Sequence, residues 1–190
     1  MNIVIFGPPG AGKGTQSNFI VKKFNLYQIS TGELLRKEIN DKTQLGQQIS
    51  SIINAGNLVS DEIVGNLIEK FIINEDYKNR LIFDGYPRNL SQAKYLDVLL
   101  KRNNQKIEIA LKLSVSLETI KKRIFERKNL EKRADDNEKT AIKRYETYEN
   151  NIEPVINFYK KSDLLQVVNG EASITEISDE ISALIEGKKG

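Results

Sequence analysis

A glycine-rich segment near the N-terminus constrains this chain more than any other feature. Residues 7–15 read GPPGAGKGT, directly after the apolar residues 3–6 and directly before a helical pattern at 16–24. A buried strand followed by such a turn and a helix directs backbone N–H groups toward an anion at the helix N-terminus. Lys13 can then reach the outer phosphates of a nucleoside triphosphate, so the segment indicates a phosphate-binding loop.

The residue after Lys13 distinguishes this loop from the most common pattern. That pattern places Ser or Thr directly after the lysine, where the hydroxyl contacts Mg²⁺. In this chain Gly14 stands there and Thr15 follows one residue later. The alternative interpretation is an ordinary turn between a strand and a helix, but four glycines and a lysine in this context favour phosphate binding.

The absence of two residue types excludes whole groups of mechanisms. The 190 residues contain neither Cys nor His, so the chain has no disulfide, no thiolate nucleophile and no imidazole base or metal ligand. What remains suits phosphoryl transfer, in which a protein mainly positions the reactants and neutralises their charge. A chain of this length is expected to form one compact domain that buries roughly 70% of its unfolded surface.

Charge and hydropathy argue against two kinds of partner. The 29 basic and 26 acidic residues give a net charge of +3, which is too small to indicate nucleic-acid binding. No apolar run is long enough to cross a bilayer, and the N-terminus lacks a signal-peptide pattern. We therefore expect a cytoplasmic protein without a membrane partner.

Hydrophobic periodicity predicts an α/β fold. Five short runs rich in β-branched residues read as buried strands, and segments with apolar residues near the helical spacing separate them. This alternation predicts a five-stranded parallel sheet with helices on both faces, whose ligands collect at the carboxyl ends of the strands. The predicted strands are 2–6, 27–29, 81–83, 107–113 and 165–168, and the predicted helices are 15–24, 32–39, 43–55, 61–73, 91–101, 117–128, 138–159 and 173–185.

Two segments interrupt this rhythm. The segment between the second and third strands holds three predicted helices, more than one crossover needs, and is a candidate acceptor-binding flap. A short polar segment at 127–133 is a candidate lid. We therefore predict one domain with a helical flap at 30–73, acceptor contacts within 30–59, and a short lid at about 122–137. The remaining core comprises residues 1–29, 74–121 and 138–190.

Several polar residues stand at positions suited to ligands. Asp84 directly follows the third predicted strand, where nucleotide enzymes of this type hold Mg²⁺ or its waters, although an Asp also starts turns. Gln92 lies one helical turn after Arg88, and its amide offers a donor and an acceptor that match an adenine edge. Arg36 follows a capping-box pattern at 30–33 and by itself reads as a surface arginine.

Four arginines lie close together in the second half of the chain. Arg123 and Arg127 are four residues apart and project from one face of a predicted helix. Arg133 and Arg144 follow, with two carboxylates between them. A solvated salt-bridge surface is one interpretation. The other is a set of cations for phosphoryl transfer, which needs positive charge from outside the phosphate-binding loop.

With these residues assembled, the chain resembles the adenylate kinase family, whose members move a phosphoryl group from ATP to AMP. The resemblance runs from residue 1 to about 185 and implies a Mg²⁺-dependent, reversible transfer that gives two ADP, carried out by a monomer. The motifs that carry it are GPPGAGKGT at 7–15, QISTGELLR at 28–36, GNLVSDE at 56–62, FDGYPRNLSQA at 83–93 and RADDN at 133–137.

The resemblance also implies roles for individual residues. Those implied in catalysis are Lys13, Arg88, Arg123, Arg133 and Arg144. Those implied in ATP binding are Gly10, Ala11, Gly12, Lys13, Gly14, Thr15, Arg123, Arg127 and the backbone of Ala172. Those implied in AMP binding are Thr31, Arg36, Asn57, Leu58, Val59, Gly85, Tyr86, Pro87, Arg88, Gln92, Arg133 and Arg144, with a cis peptide before Pro87. Asp84 would hold Mg²⁺ through water, while Asp135 and Asp136 would orient the lid arginines.

Two departures from the family pattern concern the lid. Some relatives have a zinc-binding lid, which a chain without Cys or His cannot form, so closure rests on ion pairs and no zinc site is expected. Lys132 stands where short-lid relatives usually have glycine, which bears on the backbone turn and the mobility of the lid.

Two alternative functions remain open at this stage. A UMP/CMP kinase shares the fold, but Thr31 and Gln92 favour adenine because a glutamine amide satisfies the edge of that base. A non-catalytic nucleotide-binding module would keep the loop without an acceptor site, and the complete set of acceptor residues argues against it.

Overall fold

The computed structural model describes residues 1–131 and 138–188, with side chains at 1–126 and 139–188. Within these residues, five strands pair in parallel to form one sheet. The strands are β1 (Asn2–Phe6), β2 (Tyr27–Ser30), β3 (Leu81–Asp84), β4 (Ile107–Ser114) and β5 (Leu165–Asn169). Their order across the sheet is β2-β3-β1-β4-β5, which confirms the predicted parallel α/β architecture.

Eight α-helices accompany the sheet in the described residues. They are α1 (Lys13–Phe24), α2 (Thr31–Asn40), α3 (Gln44–Asn54), α4 (Asp61–Ile72), α5 (Leu90–Arg102), α6 (Leu117–Glu131), α7 (Glu138–Lys161) and α8 (Ile174–Gly187). Every predicted helix is present, although α1 begins two residues before the predicted start and α6 continues three residues past the predicted end.

The position of β1 at the centre of the sheet explains why its sequence is continuously apolar. Val4 and Phe6 belong to the core on one face of the sheet, together with Val155 from α7. Ile3 and Ile5 belong to the core on the other face, where helices α1 and α8 pack. Successive residues of a strand point to opposite faces, so a strand covered on both sides needs apolar residues at every position.

The segment predicted as a flap, 30–73, contains α2, α3 and α4, and a hydroxyl side chain caps the start of each helix. Ser30, Thr43 and Ser60 accept hydrogen bonds from backbone N–H groups in the first turns of these helices. Such caps satisfy donors that would otherwise lack a partner. Helices α2 and α3 meet closely at Gly46, where a Cβ would lie 2.0 Å from the carbonyl oxygen of Glu38. Only glycine permits this approach.

A short 3-10 helix at Glu75–Tyr77 precedes β3 and was not predicted. It follows Asn74, whose side-chain oxygen accepts a hydrogen bond from the backbone N–H of Asp76 at 2.9 Å. Asn favours such local turns because its short amide bonds the backbone two residues ahead. No helix in the described ranges is both long enough and apolar enough to span a membrane.

Candidate active site

A cleft opens at the carboxyl edge of the sheet, where ligands bind in folds of this kind. Its volume is about 520 Å³, within the usual range for a small-molecule site. Residues predicted from the sequence line most of it: Gly10, Gly12, Lys13, Gly14, Thr15, Thr31, Arg36, Asn57, Leu58, Val59, Asp84, Gly85, Pro87, Arg88, Gln92, Arg123 and Arg144. Ala11 and Tyr86 are buried beside it, and Ala172 is not among its lining residues.

The glycine-rich loop between β1 and α1 forms one wall of the cleft. Gly10 and Gly12 have φ angles of 87° and 93°, a backbone conformation that side chains with a Cβ rarely adopt. Gly12 is also the N-cap of α1, and no side chain caps this helix end in the described structure. The first-turn N–H groups therefore face the cleft as donors, and an anion bound there would satisfy them.

Lys13 lies back across this loop. Its Nζ donates hydrogen bonds to the carbonyl oxygens of Gly7 at 2.7 Å and Pro8 at 3.1 Å. The ammonium group is thus held next to the helix N-terminus, where it adds positive charge to the same place. This is the position expected for a lysine that contacts outer phosphates.

Arg123 connects the phosphate-binding loop to the loop after β5. Its Nη1 donates to the carbonyl oxygen of Ala11 at 3.4 Å, and its Nη2 donates to that of Gly170 at 2.9 Å. Gly170 has no room for a side chain, because a Cβ would lie 2.4 Å from Val115 Cγ2. The loop at 169–174, which carries the predicted ATP contact Ala172, is therefore packed tightly against the end of β4.

Two further contacts hold the 169–174 loop. Glu171 accepts hydrogen bonds from Thr119 Oγ1 at 2.7 Å and from the Ser116 backbone N–H at 2.6 Å, and these bonds lower the pKa of its carboxyl group. Gln16 Nε2 donates to the carbonyl oxygen of Ile174 at 3.2 Å. Residues from α1 and from the start of α6 thus fix one wall on the predicted ATP side.

The other side of the cleft begins at the turn after β3. Gly85 has a φ angle of 77°, and a Cβ there would lie 2.9 Å from Thr31 Oγ1. Thr31 donates its hydroxyl proton to the Gly85 carbonyl oxygen at 2.8 Å, which joins the start of the flap to this turn. The peptide between Tyr86 and Pro87 is cis, as the resemblance implied.

The environment of Arg88 is the one most clearly suited to binding an anion. Its Nε donates to the Gly85 carbonyl oxygen at 2.7 Å, and no ion pair joins its guanidinium to a carboxylate in the described part of the chain. Burial, together with the charges of Arg144 and Arg36, lowers its pKa to about 10, while the charge of Asp84 acts in the opposite direction. A phosphate bound here would compensate this charge.

Gln92 is only 2% exposed, yet it lines the cleft. Its Oε1 accepts a hydrogen bond from the Arg88 backbone N–H at 2.7 Å. Its Nε2 donates to Asp61 Oδ1 at 2.8 Å, and Asn89 Nδ2 donates to the same oxygen at 2.9 Å. Each end of the Gln92 amide keeps one unused hydrogen-bonding position, because an amide has two donor hydrogens and two acceptor lone pairs.

Asp84 stands at the end of β3 and is 8% exposed. Its Oδ2 accepts a hydrogen bond from Gln28 Nε2 at 3.1 Å, while Oδ1 has no protein partner among the described residues. Carboxylate oxygens facing a phosphate-binding cleft are the ligands that Mg²⁺ or its bound waters prefer. The residues present therefore fit a magnesium ion.

Helix α7 supplies a wall that sequence reasoning identified only at Arg144. Thr147 and Tyr148 also line the cleft, and burial raises the pKa of the Tyr148 hydroxyl. Thr147 Oγ1 donates to the Lys143 carbonyl oxygen of its own helix at 2.8 Å and lies 3.4 Å from the Gly56 carbonyl oxygen, so α7 meets the flap here. The spacing of Tyr148 four residues after Arg144 places both on one helix face, which is the signal that could have identified it.

Some predicted positions lie outside the described residues. The structure does not describe the side chain of Arg127, and it does not describe Lys132, Arg133, Asp135 or Asp136 at all. The predicted convergence of arginines is therefore observed at Arg36, Arg88, Arg123 and Arg144, which line the same cleft as Lys13.

A helix N-terminus with Lys13 and a cluster of guanidiniums thus line the same cleft. On a parallel sheet with a phosphate-binding loop, this arrangement defines a phosphotransferase that brings two phosphate-bearing substrates together.

Comparison with known proteins identifies the family. A sequence model of adenylate kinase matches residues 5–164. The adenylate kinase of Pelagibacter ubique is 42% identical over 97% of this chain and 99% of its own length. That of Azobacteroides pseudotrichonymphae is 42% identical over 95% of each chain, and that of Porphyromonas gingivalis is 38% identical over 98% of this chain and 96% of its own. The chain belongs to the adenylate kinase family, whose members transfer a phosphoryl group between ATP and AMP.

Proposed function

We propose that this protein catalyses the reversible, Mg²⁺-dependent transfer of the γ-phosphoryl group of ATP to AMP, giving two ADP. The observation that carries the proposal is the convergence of Lys13 and the arginines at 36, 88, 123 and 144 on one cleft. Two polyanions in contact repel one another, so a protein that joins them must supply positive charge from several directions.

In this proposal the loop half of the cleft binds ATP. The backbone N–H groups of residues 10–15 would hold its phosphates, and Lys13 would contact the phosphoryl group in transfer. Arg123 lies beside Ala11 and would add charge there. Arg127 belongs to the proposed lid and would cover the same phosphates. The 169–174 loop would support the adenine through the backbone of Ala172.

The other half of the cleft would bind AMP. Arg36, Arg88 and Arg144 would hold its phosphate, joined by Arg133 from the proposed lid. Gln92 would meet the adenine edge. Contacts along the rest of the nucleotide would come from Thr31, the backbone of Asn57, Leu58 and Val59, and the turn formed by Gly85, Tyr86 and Pro87.

Bound Mg²⁺ would neutralise phosphate charge and orient the transferring group. Asp84 is the residue that would hold it, acting through water from the end of β3. Gln28 holds Asp84 Oδ2 by a hydrogen bond of 3.1 Å, which leaves Oδ1 for this role.

The transfer needs no general base from the protein. A phosphate oxygen of AMP, already anionic near neutral pH, attacks the γ-phosphorus while the bond from that phosphorus to the β–γ bridging oxygen breaks. ADP then leaves as one product, and the phosphorylated AMP is the other. A chain without His can therefore run this reaction, provided that the closed flap and lid exclude water, which would otherwise receive the phosphoryl group.

The proposal takes the protein to act as a monomer in the cytoplasm, as expected from the sequence. Thr31 and Gln92 favour adenine over the pyrimidine base of a UMP/CMP kinase acceptor. The arginine set beside the acceptor position distinguishes the protein from a module that only binds one nucleotide.

An acceptor panel tests the proposal. The purified chain is incubated with Mg·ATP and, separately, with AMP, UMP, CMP, GMP or water, and ATP and ADP are quantified. We expect rapid consumption of ATP only with AMP, with two ADP formed per AMP consumed. Equal consumption with every acceptor, or with water alone, would contradict the proposal, and consumption with UMP or CMP would favour the pyrimidine alternative.

A further inference from the structure

The hydrogen bonds around Gln92 fix the direction in which its side-chain amide points. Its Oε1 faces the Arg88 backbone N–H at 2.7 Å, and its Nε2 faces Asp61 Oδ1 at 2.8 Å. A backbone N–H only donates and a carboxylate only accepts. The chemistry of the two partners therefore determines which end of the amide is oxygen and which is nitrogen.

Turning the amide over would create two repulsive contacts. The Gln92 oxygen would face the carboxylate of Asp61, and the Gln92 NH₂ group would face the N–H of Arg88. Gln92 is almost fully buried, so water could not satisfy the groups left without partners, and unsatisfied buried polar groups are costly. Asp61 is itself held in place, since Asn89 Nδ2 donates to the same Asp61 oxygen at 2.9 Å.

A Gln92 amide fixed in one direction can distinguish a 6-aminopurine from a 6-oxopurine. The adenine edge presents an acceptor, N1, next to a donor, the 6-amino group, and the remaining N–H and lone pair of the Gln92 amide complement that pair. The hypoxanthine edge presents a donor, N1–H, next to an acceptor, O6. To bind hypoxanthine in the same way, the Gln92 amide would have to turn over.

We propose that Asp61 is a specificity-determining positioning residue for the acceptor base, which locks the Gln92 amide in the direction that accepts a 6-aminopurine and rejects a 6-oxopurine. The proposal rests on the proposed function, because it takes Gln92 to meet the base of the acceptor nucleotide. Asp61 acts through Gln92 and is not among the residues that line the cleft.

The test compares AMP with inosine monophosphate as acceptors, since their bases differ only at the edge in question. For each nucleotide, kcat/KM is measured with Mg·ATP in wild type, Asp61→Asn and Asp61→Ala. Glu62→Gln is the matched control, because Glu62 is an exposed neighbour in the same first turn of α4 and its removal changes the helix charge equally. Thermal unfolding of each variant checks that it folds.

Wild type is expected to prefer AMP by about 10²-fold or more in kcat/KM. Both Asp61 variants are expected to raise the ratio of inosine monophosphate to AMP activity by about tenfold, because turning the amide over then costs one repulsive contact fewer. A purely structural role for Asp61 would lower both activities together and leave the ratio unchanged. Glu62→Gln is expected to keep the wild-type ratio.

Three results would overturn the inference: a wild type that uses both acceptors equally well, folded Asp61 variants with the wild-type ratio, or a Glu62→Gln ratio that rises as much as theirs. The first of these needs no variant, so it applies even where the variants fail to fold. Failure of the proposed function looks different, because wild type would then show no transfer to AMP at all.

Discussion

The two halves of the cleft are built in different ways. On the proposed donor side, most phosphate-binding groups come from one contiguous segment, 7–15, with Arg123 beside it. The neighbouring 169–174 loop accepts hydrogen bonds from Gln16, Arg123 and the Ser116 backbone N–H. On the proposed acceptor side, the cations come from separate parts of the chain, and Gly56 of the flap lies against Lys143 and Arg144 of α7. The donor half relies mainly on one local motif, whereas the acceptor half depends almost entirely on side chains that only tertiary packing brings together.

Lys13→Met tests the donor half most directly and is expected to have the largest effect. We expect kcat to fall by about 10³-fold or more, because the loop loses the cation next to the transferring group. Lys22→Met, an exposed lysine on the same helix, is the control and should leave kcat unchanged. A coupled assay of ADP formation, with thermal unfolding to verify the fold, measures the effect. Near-normal turnover by Lys13→Met would show that the loop does not serve the reaction.

Arg88→Ala tests the acceptor half. We expect turnover to fall by about 10²-fold or more because the acceptor phosphate loses a buried guanidinium. Arg102→Ala, at the exposed end of α5, is the control. Retention of full activity by Arg88→Ala would contradict the placement of the acceptor phosphate.

The pKa of Arg88 also predicts an effect on stability. A cation whose folded pKa lies below its usual value binds fewer protons in the folded state, so its contribution to stability rises with pH only above about pH 10. Near neutral pH the buried charge lowers the free energy of unfolding by an amount that does not change with pH. The unfolding temperature of Arg88→Ala, measured by calorimetry without ligand, should therefore equal or exceed that of wild type.

Gly56→Ala tests the contribution of the flap separately from that of the donor half. Gly56 has a φ angle of 75°, and a Cβ there would lie 3.2 Å from Lys143 Cγ and 3.3 Å from Arg144 Cγ. The added methyl group should push the flap away from α7, raising the KM for AMP by about tenfold while the KM for ATP changes little. Gly187→Ala, where a Cβ meets nothing within 4 Å, is the control. Equal increases in both KM values would mean that the two halves are not separable at this position.

Glu171→Gln gives the smallest expected effect, on the donor half. Weaker bonds to Ser116 and Thr119 should loosen the 169–174 loop and raise the KM for ATP by about threefold, with the KM for AMP unchanged. Glu180→Gln, which removes an exposed carboxylate further along α8, is the matched control. A rise in the KM for AMP instead would contradict the assignment of the 169–174 loop to ATP.

The effect of Glu171→Gln on the KM for ATP should also be independent of pH in the usual assay range. Its hydrogen bonds lower the pKa of its carboxyl group, so the group stays ionised and bonded above its unfolded pKa, and the bonds are lost only as pH falls through the lower folded value. Between about pH 5 and 8 the ratio of ATP KM values for variant and wild type should therefore stay constant.

The sequence predicted the sheet well because its three central strands, β1, β3 and β4, are buried on both faces over most of their length. Each strand start is as predicted, and four of the strands end one residue later, at Ser30, Asp84, Ser114 and Asn169. These residues are polar, so hydrophobicity alone placed them outside the strands. They remain in the ladder because the backbone, not the side chain, makes the hydrogen bonds of a sheet.

The site was predictable where its residues form local motifs and less so where they do not. The loop at 7–15 and the turn at 85–88 could be read directly from the chain. The contributions of Thr147 and Tyr148 depend on how α7 lies against the flap, and that contact joins residues far apart in sequence. The Asp61 contact with Gln92 was missed for the same reason, since it joins α4 to α5.

The central claim is that ATP and AMP occupy the two halves of the cleft at the same time. Calorimetric titration of AMP into protein saturated with Mg²⁺ and a non-hydrolysable ATP analogue tests it directly. The account predicts that one AMP binds per chain, with an affinity no weaker than in the absence of the analogue. Loss of AMP binding in the presence of the analogue would show that both nucleotides compete for one position, and would contradict the account.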